Sequence, residues 1–340
     1  MTSLIGHDAQ ANAFLSAMRG DRLHHAWLLT GPKGVGKASF AKMAALRLLA
    51  EAADPTLGDA FGVDEDHRIA KLFAARSHPD YRLVEREVWK KPEEVLPLDE
   101  RKGDEALGRN IKVLQIRWLD RILSVAPSLS NRRAIVIDAA DDMERGAANA
   151  LLKSLEEPPP GTVFFLVSHM PGRLLPTIRS RCRLLRFGPL PDEQMRVVLR
   201  RAIPEAEPNE LEALARAGEG APGQALRFAG LDIGTLDRAL DELARTGDQS
   251  NATRVALAKS LSGKTAQPRY EAFLERAPAF IATQTKARRG EALDRALDVW
   301  AKARDLAGSA TGLSLDPQAT VFQLASYVAA LGEDARSSRA

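Results

Sequence analysis

Gly31-Pro32-Lys33-Gly34-Val35-Gly36-Lys37-Ala38 follows the pattern G-x-x-x-x-G-K-[ST] through its lysine and breaks it at the last position. In such a loop the glycines let backbone N–H groups close around phosphates, the lysine pairs with the outer phosphate, and the final hydroxyl holds Mg²⁺. Here a methyl group stands in place of that hydroxyl. The flanks fit a phosphate loop. His25 to Thr30 is an apolar strand candidate running into the glycines, and Ala38 to Ala53, rich in Ala, Leu and Lys, reads as the following helix.

The same alternation extends over the first half of the chain. Arg133 to Asp138 and Thr162 to Ser168 are runs apolar enough for fully buried strands, and Tyr81 to Glu85 and Arg183 to Phe187 are two more strand candidates. Helical patterns cover Ile111 to Val125, Glu144 to Glu157 (stopped by Pro158-Pro159-Pro160) and Leu174 to Arg179. Strands alternating with helices imply a parallel, helix-covered sheet. The charged stretch 86–110, with Pro92, Pro97, Gly103 and Gly108, reads as a long exposed loop, partly disordered. After Gly188-Pro189 only helical patterns remain: 192–203, 209–217 and 224–229, then 235–246, 250–262, 268–287, 290–307 and 317–331. The expected fold is an α/β P-loop sheet domain over 1–189, a small three-helix domain over 190–232, an all-α domain over 233–334 and a disordered tail over 335–340.

Composition narrows the functional classes. The 340 residues are 45% apolar, enough for more than one core, and no apolar run reaches the length of a membrane span. Met1 to Ile5 lacks the basic and apolar regions of a signal peptide, and Cys182, the single cysteine, excludes an internal disulfide or a cysteine-cluster zinc site. A cytoplasmic protein without membrane contact is expected. The net charge is +3, with a pI near 9.0, which permits nucleic-acid contact without demanding it. Arg173, Arg179, Arg181, Arg183 and Arg186 crowd one short segment, where a solvated basic face is the plain alternative.

Hydrolysis of a nucleotide needs more than a phosphate cradle. Asp138 ends an apolar strand, where a metal-directing carboxylate belongs, but the next position, which in Asp-Glu ATPases polarises the attacking water, is Ala139. Two complementary groups are therefore missing, and the chain is not expected to hydrolyse ATP. Gly31, Gly34, Gly36 and Lys37 still form most of a cradle at a helix N-terminus. A nucleotide there and a purely structural turn both stay open. Ser180-Arg181-Cys182 precedes the last strand, where a guanidinium could project toward a neighbouring triphosphate or simply pair on the surface. His24, His25, His67, His78 and His169 show no metal-ligand spacing, and Asp141 and Asp142 read as turn caps.

Together these pieces resemble the delta-prime family of bacterial DNA polymerase III clamp-loader subunits, within the AAA+ superfamily. The resemblance rests on Leu4 to His7, Leu23 to Gly31, His78-Pro79-Asp80-Tyr81, Ala148 to Pro159 and Leu174 to Cys182. It is dense over about 4–190, thinner over 191–230, and beyond that rests on helical content and Leu313 to Pro317. It implies an ATPase-like sheet domain, a three-helix lid and a helical collar joining a five-subunit ring with the ATPase subunit and delta. That ring belongs to the polymerase holoenzyme and places a sliding clamp on primer-template DNA. The resemblance also implies that Arg181 reaches a neighbour's ATP as an arginine finger. Gly31, Gly34, Gly36 and Lys37 form a degenerate phosphate loop at which ATP or ADP binding stays open and no cofactor is required, and Asp138 is a vestigial acidic strand end. Residues 54–77 lack the four cysteines of many relatives, so no zinc is expected. Gly223 stands where active loader ATPases carry an arginine in G-x-x-R-x-A-L. Two other readings compete. One is an autonomous ATPase using Ser39, which sits one residue late and about 100° round the helix. The other is a DNA-binding module built on the Arg173–Arg186 cluster.

Overall fold

The structure is a computed structural model that describes residues 4–20, 23–86, 88–91, 94–96, 108, 110–313 and 315–337. The chain forms two compact units, Met1–Gln194 and Met195–Ala340.

The first unit runs α1 (Asp8–Arg19), β1 (Ala26–Thr30), α2 (Lys37–Ala53), α3 (Arg68–Ala74), β2 (Tyr81–Glu85), β3 (Val88–Lys91), β4 (Glu94–Leu96), α4 (Val113–Leu123), β5 (Arg133–Asp138), α5 (Arg145–Glu156), β6 (Thr162–Ser168), α6 (Pro176–Ser180) and β7 (Arg183–Arg186). Five strands form one parallel sheet in the order β2-β5-β6-β1-β7. Their near-continuous apolar sequences are what a parallel sheet covered on both faces requires. Alternate side chains divide between those faces. Ala26, Leu28, Ile135, Ile137, Phe164 and Leu166 pack into one cluster with Ile116 and Leu119 of α4, Leu151 and Leu155 of α5 and Ile178 of α6. On the opposite face Trp27 and Phe165 meet the ring of Phe14 from α1, which also meets Phe40 from α2. β7 is an edge strand, and it exposes Arg183, Leu184 and Arg186; charges on an unpaired edge oppose pairing with another sheet.

The stretch 86–110 departs from the loop expected of it. β3 and β4 pair antiparallel, with Val88 opposite Leu96, Trp89 opposite Val95 and Lys91 opposite Glu94. The β-forming Val, Trp and Leu outweigh the surrounding charges in this short run. Residues 97–107 and 109 lie outside the described residues.

His78-Pro79-Asp80-Tyr81 has a structural task. The buried Asp80 carboxylate accepts the Ser128 N–H at 2.8 Å and the Leu129 N–H at 2.9 Å, and its own N–H donates to His78 Nδ1 at 3.1 Å. The buried Arg133 guanidinium lies 3.9 Å from Asp80 and donates to the Val125 carbonyl at 3.0 Å. The start of β2 thereby fixes the loop that leads from α4 to β5.

The second unit holds most of α7 (Asp192–Ala202), followed by α8 (Pro208–Gly218), α9 (Pro222–Leu226), α10 (Ile233–Thr246), α11 (Ala252–Ser260), α12 (Gln267–Thr285), α13 (Gly290–Leu313) and α14 (Pro317–Ser337). α14 packs against α10, α11, α12 and α13. Its Val321, Leu324, Ala325 and Val328 are buried at the i, i+3, i+4, i+7 spacing of one helix face. α13 buries Ala296, Ala303 and Ala310, small side chains at a seven-residue repeat that let its neighbours approach closely. Arg276 of α12 pairs with Asp237 of α10 at 2.5 Å. α14 continues through Ser337, into the segment expected as a disordered tail; 338–340 lie outside the described residues.

Replacing Asp80 by Ala strips the partner from two amides and leaves Arg133 uncompensated, a cost of about 3 kcal/mol. Amide hydrogen exchange should show Ser128 and Leu129 losing protection first, with a lowered unfolding midpoint for the whole unit.

Candidate functional site

The glycine loop joins the end of β1 to the start of α2. At Gly31 φ is +148° and a Cβ would collide with the Phe187 carbonyl oxygen, so only glycine allows the chain to pass. His7 Nε2 donates to the Val35 carbonyl at 2.8 Å, and its ring lies edge-on to Phe187 at 4.8 Å. No side chain caps α2, which leaves its first N–H groups directed at the loop.

Lys37 is 2% exposed. Its Nζ donates to the carbonyls of Gly31 at 2.7 Å and Pro32 at 2.6 Å. Burial pulls the ammonium down from 10.5 to about 8, against the opposing pull of Asp138 and Asp141. Ala38 is half-buried beside it, and Ser39 is exposed.

On the neighbouring strands, Asp138 stands at the end of β5. Burial raises its carboxyl above the ordinary carboxylate range, opposed by Lys42, His169 and Lys37. Ala139 beside it is buried. Asp141 is no simple turn cap: its carboxylate accepts the Ser168 hydroxyl at 2.7 Å, the His169 N–H and the Met170 N–H at 3.1 Å, which fixes the end of β6. Asp142 pairs with Arg86 at 3.1 Å. Burial, then Lys37, lowers the His169 imidazole below its usual range, opposed by Asp141 and Asp138. Sequence reading missed His7, Lys42 and His169 as neighbours of the loop. For His169 the signal existed, because parallel pairing sets Ser168 level with Thr30, at the strand ends where α/β sheets gather their chemistry.

The backbone cradle and the α2 terminus fit a phosphate group. The position after Lys37 and the position after Asp138 present methyl groups, which can neither bind a metal nor polarise water. Among the described residues, no cluster of three or more His, Cys, Asp or Glu side chains is placed to hold a metal ion, and no helix is long and apolar enough to cross a membrane. Gly223 lies exposed on α9.

Arg181 sits elsewhere. It follows α6, and its guanidinium donates to the Thr177 carbonyl at 3.0 Å and pairs with Glu156 at 2.7 Å. Arg183 is level with Trp27 in the parallel register, and Arg186 with Thr30. Arg181 therefore lies before the starting end of the sheet and Gly31 beyond its finishing end, roughly 20 Å apart at a strand rise of about 3.3 Å per residue. Cys182 is half-buried, and burial pushes its thiol up to about 12, away from the thiolate form that a nucleophile needs.

Fold and loop define an α/β protein with a parallel five-stranded sheet and a P-loop-like glycine loop, in which Ala38 and Ala139 stand at the two positions described above. The chain belongs to the family described as DNA polymerase III, delta subunit, whose family model matches residues 6–191. It is 37% identical over 223 residues to DNA polymerase III subunit delta' of Pseudomonas aeruginosa, covering 65% of this chain and 61% of that one. To subunit delta' of Bacillus subtilis it is 34% identical over 177 residues, 52% and 45% of the two chains. DNA polymerase III subunit tau of Escherichia coli is 30% identical over 238 residues, 69% of this chain and 33% of tau. The matched region thus spans less than two thirds of each relative.

The Lys37 environment is directly measurable. Its ¹³Cε resonance should titrate near pH 8, and a midpoint near 10.5 would mean a solvated ammonium instead of a buried one. Because the folded value is lowered, the unfolded chain binds more protons between about pH 8 and 10.5. The Lys37 contribution to stability accordingly rises with pH across that window, and Lys37→Met should flatten the rise.

Proposed function

We propose that this chain is a non-hydrolysing, delta-prime-type subunit of a clamp loader that supplies Arg181 in trans to a neighbouring ATPase subunit. The observation that carries this reading is the separation of the two motifs. The chain's own phosphate loop lacks the groups for metal and water, while the part-exposed Arg181 guanidinium lies at the opposite end of the sheet, beyond the reach of one side chain. An arginine so placed serves a second molecule. At a neighbour's site its planar fork of donors would stabilise charge developing on the transferred phosphoryl group.

In this reading residues 1–189 form the ATPase-like domain, 190–232 the lid and 233–334 the collar that joins a ring with the ATPase subunit and delta. The ring opens a sliding clamp and places it on primer-template DNA in the cytoplasm. The glycine loop needs no nucleotide for this role: the Lys37 ammonium already has two carbonyl partners. No zinc or other cofactor is required. Arg173, Arg179, Arg183 and Arg186, all exposed, would add general attraction for nucleic acid or for an acidic neighbour.

The test is a ring reconstituted with this chain and its loader partners. Arg181→Ala should lower turnover at the one site it serves on the order of a thousandfold, read as the DNA-stimulated ATPase of the ring. Undiminished turnover would falsify the finger role. The purified chain alone should show negligible ATPase; a steady turnover abolished by Lys37→Ala would assign an autonomous ATPase instead.

A further inference from the structure

We infer that Glu156 is a positioning residue for Arg181, one that holds the guanidinium oriented for a partner's phosphate before that partner arrives. The inference rests on the reading of Arg181 as a group acting in trans.

Glu156 is the last residue of α5, and its backbone is held firmly. Leu151 and Leu155 anchor the helix in the core at 0% and 1% exposure. His25 Nε2 donates to the Leu155 carbonyl at 3.0 Å, and the Glu157 N–H donates to the Lys153 carbonyl at 3.0 Å. Pro158 and Pro159 then end the helix, since a proline cannot continue the hydrogen-bond ladder. The carboxylate therefore projects from a fixed platform.

Arg181 is placed with equal firmness by its backbone. Its N–H donates to the Ile178 carbonyl at 3.1 Å, and Ile178 is fully buried. The guanidinium is then tied at two nitrogens to two elements: Nη1 to Thr177 O of α6 at 3.0 Å, and Nη2 to Glu156 Oε1 of α5 at 2.7 Å. Two anchors on one planar group fix its plane. A guanidinium carries five N–H donors, so these two bonds leave the others for a ligand, and the side chain is 34% exposed. An arginine without the carboxylate would have to freeze its rotamers at the moment of reaction. With it, that ordering is already in place, which is how preorganised groups gain effectiveness.

The pair is half exposed on both sides, so it contributes little to folding. This separates positioning from stability. Glu156→Ala should leave the melting temperature of the chain and its incorporation into the ring unchanged, while lowering kcat at the one site Arg181 serves, isolated in a ring whose other ATPase sites are inactivated, roughly threefold to tenfold, the range set by a half-exposed charged pair and lost preorganisation. KM for ATP should change less than about twofold, because the ground-state contacts to ATP belong to the neighbour. Glu156→Gln keeps an acceptor oxygen and should recover at least half of the lost kcat. In an Arg181→Ala background Glu156→Ala should add nothing, since its effect passes through the guanidinium. If Arg181→Ala lowers turnover but Glu156→Ala leaves it at the original level, the finger reading stands and positioning is overturned. A rise in turnover overturns it too, and marks the carboxylate as a competitor that holds the guanidinium back. If Arg181→Ala itself has no effect, both readings fall together.

Discussion

β1 is hydrogen-bonded to β6 on one side and to β7 on the other, and this parallel register decides where every chemical group of the first unit can lie. Parallel strands share their finishing ends. The glycine loop after Thr30, the Asp141 bracket around Ser168 and His169, and Phe187 against Gly31 therefore gather at one end of the sheet. Arg181, which enters β7, is confined to the other end. Only an antiparallel β7 would bring the residues that enter it to the end of the sheet that holds the loop. The separation of a cradle from a projecting cation is thus a property of topology, and the side chains only give it chemistry.

At the finishing end the charged groups lie close together. A buried ammonium without partners would be expensive, and the Lys37 ammonium meets two carbonyls of its own loop. Burial moves Lys37, Asp138 and His169 each toward the neutral form. A phosphate entering the loop would have to compete with the carbonyls for Lys37, a competition that a site with a metal-holding hydroxyl would help the phosphate to win.

Much of the sheet was legible in the sequence because burial on both faces leaves a simple mark: the uninterrupted apolar runs of β5 and β6 have no other economical reading. What escaped has a common physical character. The Asp141 bracket spans 28 residues to His169, the Arg181–Glu156 pair 25 positions read from their numbers, and neither leaves a local pattern. α1 carries Ala11, Phe14 and Leu15 at helical spacing, but what holds it in place, the contacts of Phe14 with Trp27 and Phe165 of the sheet, is not local in sequence. Helix ends were set too early wherever glycine intervened. α13 runs past Gly308 because the buried Ala303 and Ala310 on either side hold it. α14 runs past Gly332, where the buried Val328, Ala329 and Leu331 hold the helix and glycine allows an approach to α10 so close that a Cβ would stand 2.6 Å from the Ala244 carbonyl. In both cases packing overrides a propensity of only about 1 kcal/mol.

The same distinction between packed and unpacked atoms accounts for which parts of the phosphate loop this chain holds and which it lacks. Gly31 is fixed by the Phe187 carbonyl, Val35 by His7, and Lys37 by two loop carbonyls; a change at any of these would disturb the junction of α1, β1 and the segment after β7. The positions of Ala38 and Ala139 carry no such duty. A hydroxyl or carboxylate there would serve only a metal ion or a water molecule, and a methyl group in its place leaves no buried donor or acceptor unpaired. Changes at the cradle positions would therefore disturb a core junction, which the methyl groups of Ala38 and Ala139 do not hold. The glycine loop is thus tied into the packing of the unit, while the two positions that carry methyl groups are not.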